Sequence, residues 1–208
     1  MLSKLEELKL ITLCVTLDDH RAFARLVDEY SPGLHGFIYN LTLGDAALTD
    51  DIAQETFLKA YSELRSFRGV SRFRTWLYRI AFNEFTDQMR RRTPTDDIAS
   101  YADKIESGAT ADRSWQLSHD LAEAMASLSE TERTIVLLFY YEDRPIKEIV
   151  KITGLAEGTV KSHLSRAKTK MNTNPNQANT EYYETAKQKL ADLVAENAKL
   201  GRQFDALN

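Results

Sequence analysis

Apolar residues recur at intervals of three and four positions along most of the chain, and this spacing is typical of helices that bury one face. Only 8 glycines and 4 prolines occur among 208 residues, so few positions favour a break. The pattern predicts an all-α protein. Polar stretches of weak periodicity, at 94–113 and 172–180, divide it. We therefore expect two small helical domains joined by an acidic linker, followed by a C-terminal helix.

The predicted helices fall into three groups. In the first domain, 1–93, they begin near Ser3, Asp19, Asp45 and Ser71, and Ser31-Pro32 is expected to break or restart the second of them. In the second domain, 114–171, they cover about 115–127, 130–141, 146–153 and 157–171. The remainder, 172–208, contains a polar linker and a helix over about 181–207.

Residues 128–171 contain recognisable signals of local structure. Ser129 is followed three residues later by Glu132, which is the spacing of a capping box. Gly154 supplies a tight turn between two short amphipathic segments, a pattern typical of a helix-turn-helix motif. The second helix of that motif would bury Val160, Leu164 and Ala167. Its side chains predicted to face DNA are Thr159, Lys161, Ser162, His163, Ser165, Arg166 and Lys168.

The net charge of -4 hides two basic segments in an otherwise acidic chain. Residues 65–92 contain 8 Lys or Arg against 2 Asp or Glu, and residues 144–171 contain 7 against 2. Residues 1–64 contain 5 against 11, and residues 94–132 contain 2 against 9. Each basic segment is a candidate contact for nucleic-acid phosphates, the alternative being a solvated helix face.

Several classes of protein are disfavoured. Cys14 is the only cysteine, so an internal disulfide is excluded, and it lies in an apolar run, 10–17, that reads as a packed helix rather than a signal peptide. No apolar stretch approaches the roughly 18 residues of a membrane span. We expect a soluble cytoplasmic protein without membrane insertion. No nucleophile–base pair, metal-ligand cluster or phosphate loop is recognisable, so we expect no enzyme, cofactor or metal.

The third predicted helix has a polar face opposite an apolar stripe. Asp51, Gln54, Glu55 and Lys59 lie on the polar face. This face is either a solvated surface with a Glu55–Lys59 ion pair or a docking site for a basic helix of a partner. The stripe expected to be buried consists of Leu48, Ile52, Phe57, Ala60, Tyr61 and Leu64.

The fourth predicted helix carries arginines on one side and aromatic residues on the other. Such arginines can contact successive phosphates, and Asn83 can read a base edge. The preceding loop, 66–71, combines a glycine, small polar groups and Phe67, a composition that could hold an extruded base. Trp76 falls on the apolar face and is favoured as a core residue over a base-stacking one. The polar stripe consists of Arg72, Arg79, Asn83, Thr86 and Arg90.

These motifs resemble a known family. The segment from Asp51 is similar to region 2 of bacterial sigma-70 factors of the small extracytoplasmic-function group, through D-x-x-Q-E-T-F, then F-R-G from Phe67 and F-x-T-W-L-Y-R-I-A-x-N from Phe73. Residues 148–167 resemble region 4 through E-I-x-x-x-x-G and G-T-V-K-S-x-L-S-R-A. The likeness covers roughly residues 18–171, with the two regions in the family's order.

The resemblance implies an alternative sigma subunit that binds core RNA polymerase and promoter DNA and supports promoter opening, with an anti-sigma factor as a further partner. Polymerase contacts would come from Asp51, Gln54, Glu55 and Phe57. Minus-ten contacts would come from Phe67, Arg68, Gly69, Ser71, Arg72, Arg79 and Asn83. Minus-thirty-five contacts would come from the outward-facing residues of the helix-turn-helix named above.

Two questions stay open at this point. The segment 159–164 also resembles the helix-turn-helix of LuxR-type regulators, which bind DNA without replacing a sigma subunit. In the C-terminal helix, apolar positions alternate at spacings of three and four with Asn197 among them, a pattern of parallel two-stranded coiled coils. That helix would fold back on the domains, self-associate as a zipper, or dock on another protein.

Overall fold

The computed structural model describes residues 2–92 and 124–172, and every regular element in these ranges is helical. The prediction of an all-α fold is confirmed. The predicted acidic linker at 94–113 and the predicted C-terminal helix at about 181–207 lie outside the described residues, as does most of the helix predicted at 115–127.

Within the described residues, the ends of the predicted helices agree with the structure to about two residues. The first half contains α1 (Lys4–Leu17), α2 (His20–Leu41), α3 (Ala46–Glu63) and α4 (Phe73–Arg91), with a short 3-10 turn, Leu64–Ser66, after α3. The second half contains α5 (Glu130–Val136), a π-helical turn (Leu137–Tyr141), α6 (Ile146–Thr153) and α7 (Glu157–Asn172).

Two capping boxes set where helices begin. At the start of α1, Ser3 Oγ accepts the Glu6 backbone N–H at 3.2 Å, and the Glu6 carboxylate accepts the Ser3 backbone N–H at 2.8 Å. Ser129 and Glu132 make the same reciprocal pair at the start of α5, at 3.3 and 3.1 Å, as the sequence predicts. Each pair satisfies backbone donors that have no partner within the helix.

Pro32 lies inside α2 and does not break it, so the predicted interruption is wrong. An interior proline removes one backbone hydrogen bond and costs about 3 kcal/mol. The turns on either side of it bury Leu26 and Leu34 completely, and each such side chain contributes about 1.5–3 kcal/mol when buried. Packing of the apolar face therefore outweighs the local cost of the proline.

Tyr61, which the periodicity places in the buried stripe of α3, is instead 37% exposed. Its hydroxyl donates to Asp18 Oδ1 at 3.1 Å and lies 2.8 Å from His20 Nδ1. The phenol group reaches these polar partners where α1 ends and α2 begins, so the ring stays at the edge of the bundle. The residues that α3 buries fully are Leu48, Thr49, Ile52, Thr56 and Ala60, and Phe57 is half-buried.

The first half has a continuous apolar core. Helix α3 packs against α2 and α4, and α1 packs against α2. Leu26, Ile52, Leu77 and Phe85 are each fully buried there. Cys14 is also buried, as predicted, and its burial raises the pKa of the thiol. This core holds α3 and the start of α4 in a fixed relation, which positions the residues discussed below.

The second half contains the predicted helix-turn-helix. Helix α6 ends at Gly154, whose φ of +73° is in the left-handed region that favours glycine. The chain then enters α7, which packs against α5 and α6. Val160 and Ala167 are fully buried and Leu164 is half-buried, so the predicted inward face of α7 is confirmed.

The two halves of the described chain pack against each other through α4 and α6 and through a buried guanidinium. Arg133 Nη1, on α5, donates to the carbonyl oxygen of Leu41 at 2.8 Å, at the end of α2. The same guanidinium donates to the carbonyl oxygens of Met125 at 3.1 Å and Leu128 at 3.3 Å. Arg133 therefore holds the segment before α5 in place and links it to the first half of the chain.

A second polar contact between the halves is centred on Glu142. Its carboxylate forms an ion pair with Arg74 of α4 and accepts a hydrogen bond from Tyr78 Oη at 3.1 Å. The Arg74 guanidinium also lies over the Tyr78 ring, 5.2 Å from its centroid. Burial raises the pKa of Tyr78, so its hydroxyl stays protonated and available as a donor. Arg144 Nη2 is 3.8 Å from the same carboxylate.

Candidate functional site

The polar face of α3 exposes its acidic residues to solvent. Asp51, Gln54 and Glu55 are all exposed on it, and we call these three residues the acidic strip. Lys59, one turn beyond Glu55, forms an ion pair with Glu84 of α4. The hydrogen bond to Glu84 raises the pKa of Lys59. Lys59 thus forms its ion pair with α4, and its ammonium group remains only a longer-range electrostatic neighbour of Glu55.

The loop before α4, residues 66–71, is anchored at its first aromatic residue. Phe67 is half-buried, and its ring centroid lies 5.8 Å from that of Phe73 and 5.3 Å from that of Trp76. Trp76 is partly buried against the core, which agrees with the predicted core role. Beyond Phe67 the loop turns outward, with Gly69 at φ +67° and Val70 84% exposed.

The predicted DNA-contacting residues of the first half differ in how accessible they are. Arg68, Arg79 and Asn83 are exposed, on the loop and along α4. Arg72 differs, because its Nη2 lies 3.0 Å from Glu7 Oε1 and donates to the Leu2 carbonyl oxygen at 3.1 Å. Its guanidinium is thus held by α1. The remaining predicted contacts, Gly69 and Ser71, are half-buried.

An open polar groove runs between α3 and α4. Asn83, Thr86 and Arg90 line it together with Lys59. Three residues of the stripe predicted from the sequence thus share one surface, and that surface faces away from the apolar core. Arg90 is exposed and lies 3.4 Å from Asp87.

The outer face of α7 is accessible in this structure. Among the seven residues predicted to face DNA, His163 is half-buried, and the exposed ones are Thr159, Lys161, Ser162, Ser165, Arg166 and Lys168. His163 Nδ1 accepts a hydrogen bond from Arg166 Nη2 at 3.1 Å. Burial and the neighbouring Arg166 lower the pKa of His163, so the imidazole is neutral at neutral pH. A neutral ring adds no charge to the basic face.

Glu132 lies under the same helix and balances part of its charge. Its carboxylate is 2.7 Å from Lys170 Nζ and 3.9 Å from Arg166 Nε. Burial opposes the charge of Glu132, but the bonds from Lys170 and Ser129 outweigh it and lower the pKa of this carboxyl. One residue therefore caps α5 and fixes the C-terminal part of α7.

Sequence reasoning missed the polar contacts that hold these surfaces in place. Glu7, Arg74, Arg133 and Glu142 appear in none of the predicted sites, yet each is paired with a residue from a distant part of the chain. The distant partner of each lies 64 or more positions away along the chain. No local spacing marks such pairs, so only the folded chain identifies them.

Metal and membrane sites are not found in the described part of the chain. Residues 2–92 and 124–172 contain no group of three or more His, Cys, Asp and Glu side chains arranged to hold a metal ion. No helix in those ranges combines the length and the apolar character that crossing a bilayer requires.

Two family descriptions match this chain. Sigma-70 region 2 matches residues 26–95, which include the acidic strip, the loop and α4. Sigma-70 region 4 matches residues 118–171, which include the helix-turn-helix. The two matches divide the chain as the motifs do, and no match supports a stand-alone LuxR-like regulator.

Characterised relatives match across both regions. The chain is 31% identical to the ECF RNA polymerase sigma factor SigW of Bacillus subtilis over 163 residues, which cover 72% of this chain and 87% of the relative. It is 34% identical to the RNA polymerase sigma-H factor of Pseudomonas aeruginosa, with 72% and 84% covered. The ECF RNA polymerase sigma-E factor of Escherichia coli K12 is also 34% identical, with the same coverage.

Solved structures of sigma factors share the fold. The sigma factor RpoE in complex with the anti-sigma factor NepR, from Bartonella quintana, superposes with a TM-score of 0.57 at 28% identity, covering 72% of this chain and 93% of that one. CnrH in complex with the cytosolic domain of CnrY has a TM-score of 0.59 at 21% identity, covering 81% and 94%, and supports the fold alone. The chain therefore belongs to the extracytoplasmic-function group of the sigma-70 family and is an alternative sigma factor of transcription initiation.

Proposed function

We propose that three exposed surfaces of this sigma factor divide the work of initiation. The acidic strip docks on a basic helix of core RNA polymerase, the loop at 66–71 captures an unpaired minus-ten base, and α7 reads the minus-thirty-five element. The observation that carries the proposal is that the acidic strip, the loop tip at Arg68 and Val70, and the outer face of α7 are exposed together in one folded chain. The residues that pack the two halves, such as Arg133 and Glu142, belong to none of them.

Docking through the acidic strip is supported by its electrostatics. Asp51 and Glu55 are exposed, and the nearest cation of the same helix, Lys59, is engaged by Glu84. Complementary charge across an interface speeds association and selects the partner, and reversing one such charge places like charges together. Phe57, half-buried beside the strip, gives the proposed interface an apolar component.

Base capture is supported by the shape of the loop. Its start is packed into the aromatic cluster of Phe67, Phe73 and Trp76, while Arg68 and Val70 project outward. A base that leaves the stack gains ring contacts and edge hydrogen bonds in such a site, and these offset the cost of unpairing, about a few kcal/mol. Arg79 and Asn83 then lie along the adjacent strand. Opening needs no covalent chemistry from this protein, and sigma factors as a family are not enzymes.

Recognition by α7 follows the geometry of a helix-turn-helix. The Gly154 turn and the buried Val160 fix the angle between α6 and α7, so the exposed side chains of α7 can enter a major groove. Lys161, Arg166 and Lys168 supply phosphate or base contacts. We further propose a cytoplasmic location, where polymerase and DNA are found, and regulation by an anti-sigma factor like those in the related complexes.

We also propose limits for the domains. We place the first domain at 1–93, the linker at 94–113, the second domain at 114–171 and the tail at 172–208, with self-association through the tail as one possible role. The described residues show that the two halves pack together, so the linker must also allow this packed arrangement.

The first test is co-elution of the purified chain with core RNA polymerase. We expect the wild type to co-elute and Glu55→Lys to bind at least tenfold more weakly, because like charges then face each other. Asp28→Lys, the same reversal at an exposed acid on α2, is the matched control and should bind like the wild type. Equal binding by the wild type and both variants contradicts docking through the strip.

A second experiment uses a shortened chain that lacks residues 172–208. Stronger polymerase or promoter binding by the shortened chain supports a tail that folds back over these surfaces, and unchanged binding contradicts it. The start sites of transcripts that the holoenzyme makes from genomic DNA identify a promoter for the experiments below. A holoenzyme that binds but starts no transcription contradicts the proposed promoter role.

A further inference from the structure

Glu7 is a buried carboxylate on α1, outside every surface described above. Its residue is only 3% exposed. Oε1 accepts a hydrogen bond from Tyr30 Oη and lies 3.0 Å from Arg72 Nη2. A carboxylate this well buried is costly unless partners satisfy its charge. Glu7, Tyr30 and Arg72 therefore act as one unit, which we call the Glu7 triad.

Arg72 connects the triad to the base-capture loop. It is the last residue before α4, with an extended backbone (φ -63°, ψ 148°), and its carbonyl oxygen accepts the Trp76 N–H at 3.2 Å. Its Nη2 also donates to the Leu2 carbonyl oxygen at 3.1 Å, while the Leu2 N–H donates to Glu29 Oε1 at 3.1 Å. The guanidinium thus fastens the end of the loop to α1, and α1 to α2.

The loop has little else to hold it. Within the described part of the chain, residues 68–71 make no hydrogen bond of their own. Phe67 anchors one end through its ring contacts, and Arg72 anchors the other. In the middle, Gly69 lies against α1, where an added Cβ would be 3.4 Å from Leu8 Cδ2. The shape of the loop therefore depends on α1 at two of its three supports.

Tyr30 links the two anchors. Its ring centroid lies 5.4 Å from that of Phe73, which belongs to the aromatic cluster around Phe67. Burial and the hydrogen bond to Glu7 raise the pKa of Tyr30, so the hydroxyl remains a donor. The same residue thus touches the aromatic anchor with its ring and the charged anchor with its hydroxyl.

We propose that Glu7 is a positioning residue for promoter opening. It holds Arg72, and through Arg72 it holds the loop in the shape that receives the unpaired base, an inference that rests on the proposed role of the loop. A buried ion pair contributes little net stability against an apolar substitute but constrains geometry. The guanidinium of Arg72 therefore binds Glu7 within the protein. Helix α1 thus contributes to promoter opening.

The test compares Glu7→Gln with Glu6→Gln in holoenzyme. Both changes remove one carboxylate from the same turn of α1, but Glu6 is exposed and glutamine also fits its capping box. The probe is a promoter opened by mismatches, offered intact or with an abasic site at the captured position. We expect Glu7→Gln to bind the intact probe about tenfold more weakly than the wild type, the effect of losing one charge-assisted hydrogen-bond network.

The abasic probe separates positioning from general damage. There the captured base is missing, so we expect Glu7→Gln, Glu6→Gln and the wild type to bind equally, with equal affinity for core polymerase. An equal loss on both probes, or a loss shared by Glu6→Gln, overturns the proposal. Tyr30→Phe removes only the hydroxyl and keeps the ring, so it should show a smaller loss of the same pattern if Glu7→Gln does not fold.

A failure of the loop's proposed function gives a different result. If the wild type binds the intact probe and the abasic probe equally, wherever the abasic site is placed, base capture by the loop is wrong. The proposed role of Glu7 is then wrong as well. If the wild type discriminates and Glu7→Gln and Tyr30→Phe discriminate equally well, only the role of Glu7 is overturned.

Discussion

The two basic segments, 65–92 and 144–171, carry similar excess positive charge but use it differently. In the first, Arg72, Arg74 and Arg92 are paired with Glu7, Glu142 and Asp45, all from other parts of the chain. In the second, Lys161 pairs with Glu157 one turn away, Arg166 and Lys170 lie 3.9 and 2.7 Å from Glu132, and Lys168 is exposed. The paired arginines of the first segment are 23–38% exposed, whereas the paired cations of α7 are 47–59% exposed and stay on the surface of the helix.

The difference follows from where each helix lies. Helix α4 packs against α2, α3 and α6, so side chains on several of its faces meet other elements. Helix α7 packs against α5 and α6 only along one stripe. A long arginine on a helix surrounded by neighbours is within reach of distant carboxylates, and a guanidinium that is half-buried needs such a partner. Formal charge alone therefore overstates the phosphate contacts of the first segment.

The largest effect is expected when an inward-facing arginine of α4 is replaced, compared with replacement of an outward-facing one. Arg74→Ala leaves the Glu142 carboxylate nearly buried without its main partner, so we expect unfolding to become easier by about 2 kcal/mol, less than a fully buried pair would cost because Arg74 is partly exposed. Arg79→Ala, on the exposed side of the same helix, should change stability by under about 0.5 kcal/mol. Chemical denaturation measures the free energy of unfolding of both variants. Equal losses would contradict the distinction between inward-facing and outward-facing arginines of α4.

A smaller effect is expected from removing the charge of Glu132, whose carboxylate pairs with Lys170 of α7. Its carboxyl has a pKa lowered from the usual 4.5, so its contribution to stability is present above that value and is lost as the pH falls through the folded-state pKa. We expect Glu132→Gln to be less stable than the wild type by about 1 kcal/mol at pH 7 and the gap to close as the pH falls below the lowered pKa of the Glu132 carboxyl. Denaturation curves across this range measure it. A gap that persists at low pH contradicts a role for the charge.

The smallest effect is expected on α7 itself. Lys168→Ala should leave thermal stability unchanged, weaken promoter binding about fivefold, and reduce the slope of log affinity against log salt by about 0.9, the value for one lost phosphate contact. Lys161→Ala should lose less, because Glu157 already neutralises part of that charge at 2.6 Å. Fluorescence anisotropy over a salt series compares them. A larger loss at Lys161 would show that its pair opens on DNA.

Much of the fold and the outline of the site followed from local pattern. Periodicity placed the helices, Ser129 and Glu132 marked a helix start, and Gly154 marked the turn of the helix-turn-helix. These signals act within one or two turns of a helix, through caps, turns and the spacing of apolar residues. The same is true of the motifs that carry the family resemblance, which are contiguous in the chain. Exposure of the acidic strip and of α7 also agreed with the pattern.

Tertiary structure decided the rest, since it depends on residues far apart in sequence. Packing on both sides of Pro32 kept α2 whole, and polar partners at the end of α1 drew Tyr61 out of the core. Lys59 forms its ion pair with Glu84 of α4, and Arg72 forms its ion pair with Glu7 of α1. A lone carboxylate on an amphipathic helix looks the same whether it faces water or a guanidinium 65 positions later in the chain. Sequence alone determined which segments are helical and which family they form, while the fold determined which charges remain for polymerase and DNA, because ion pairs between distant helices leave no periodic trace.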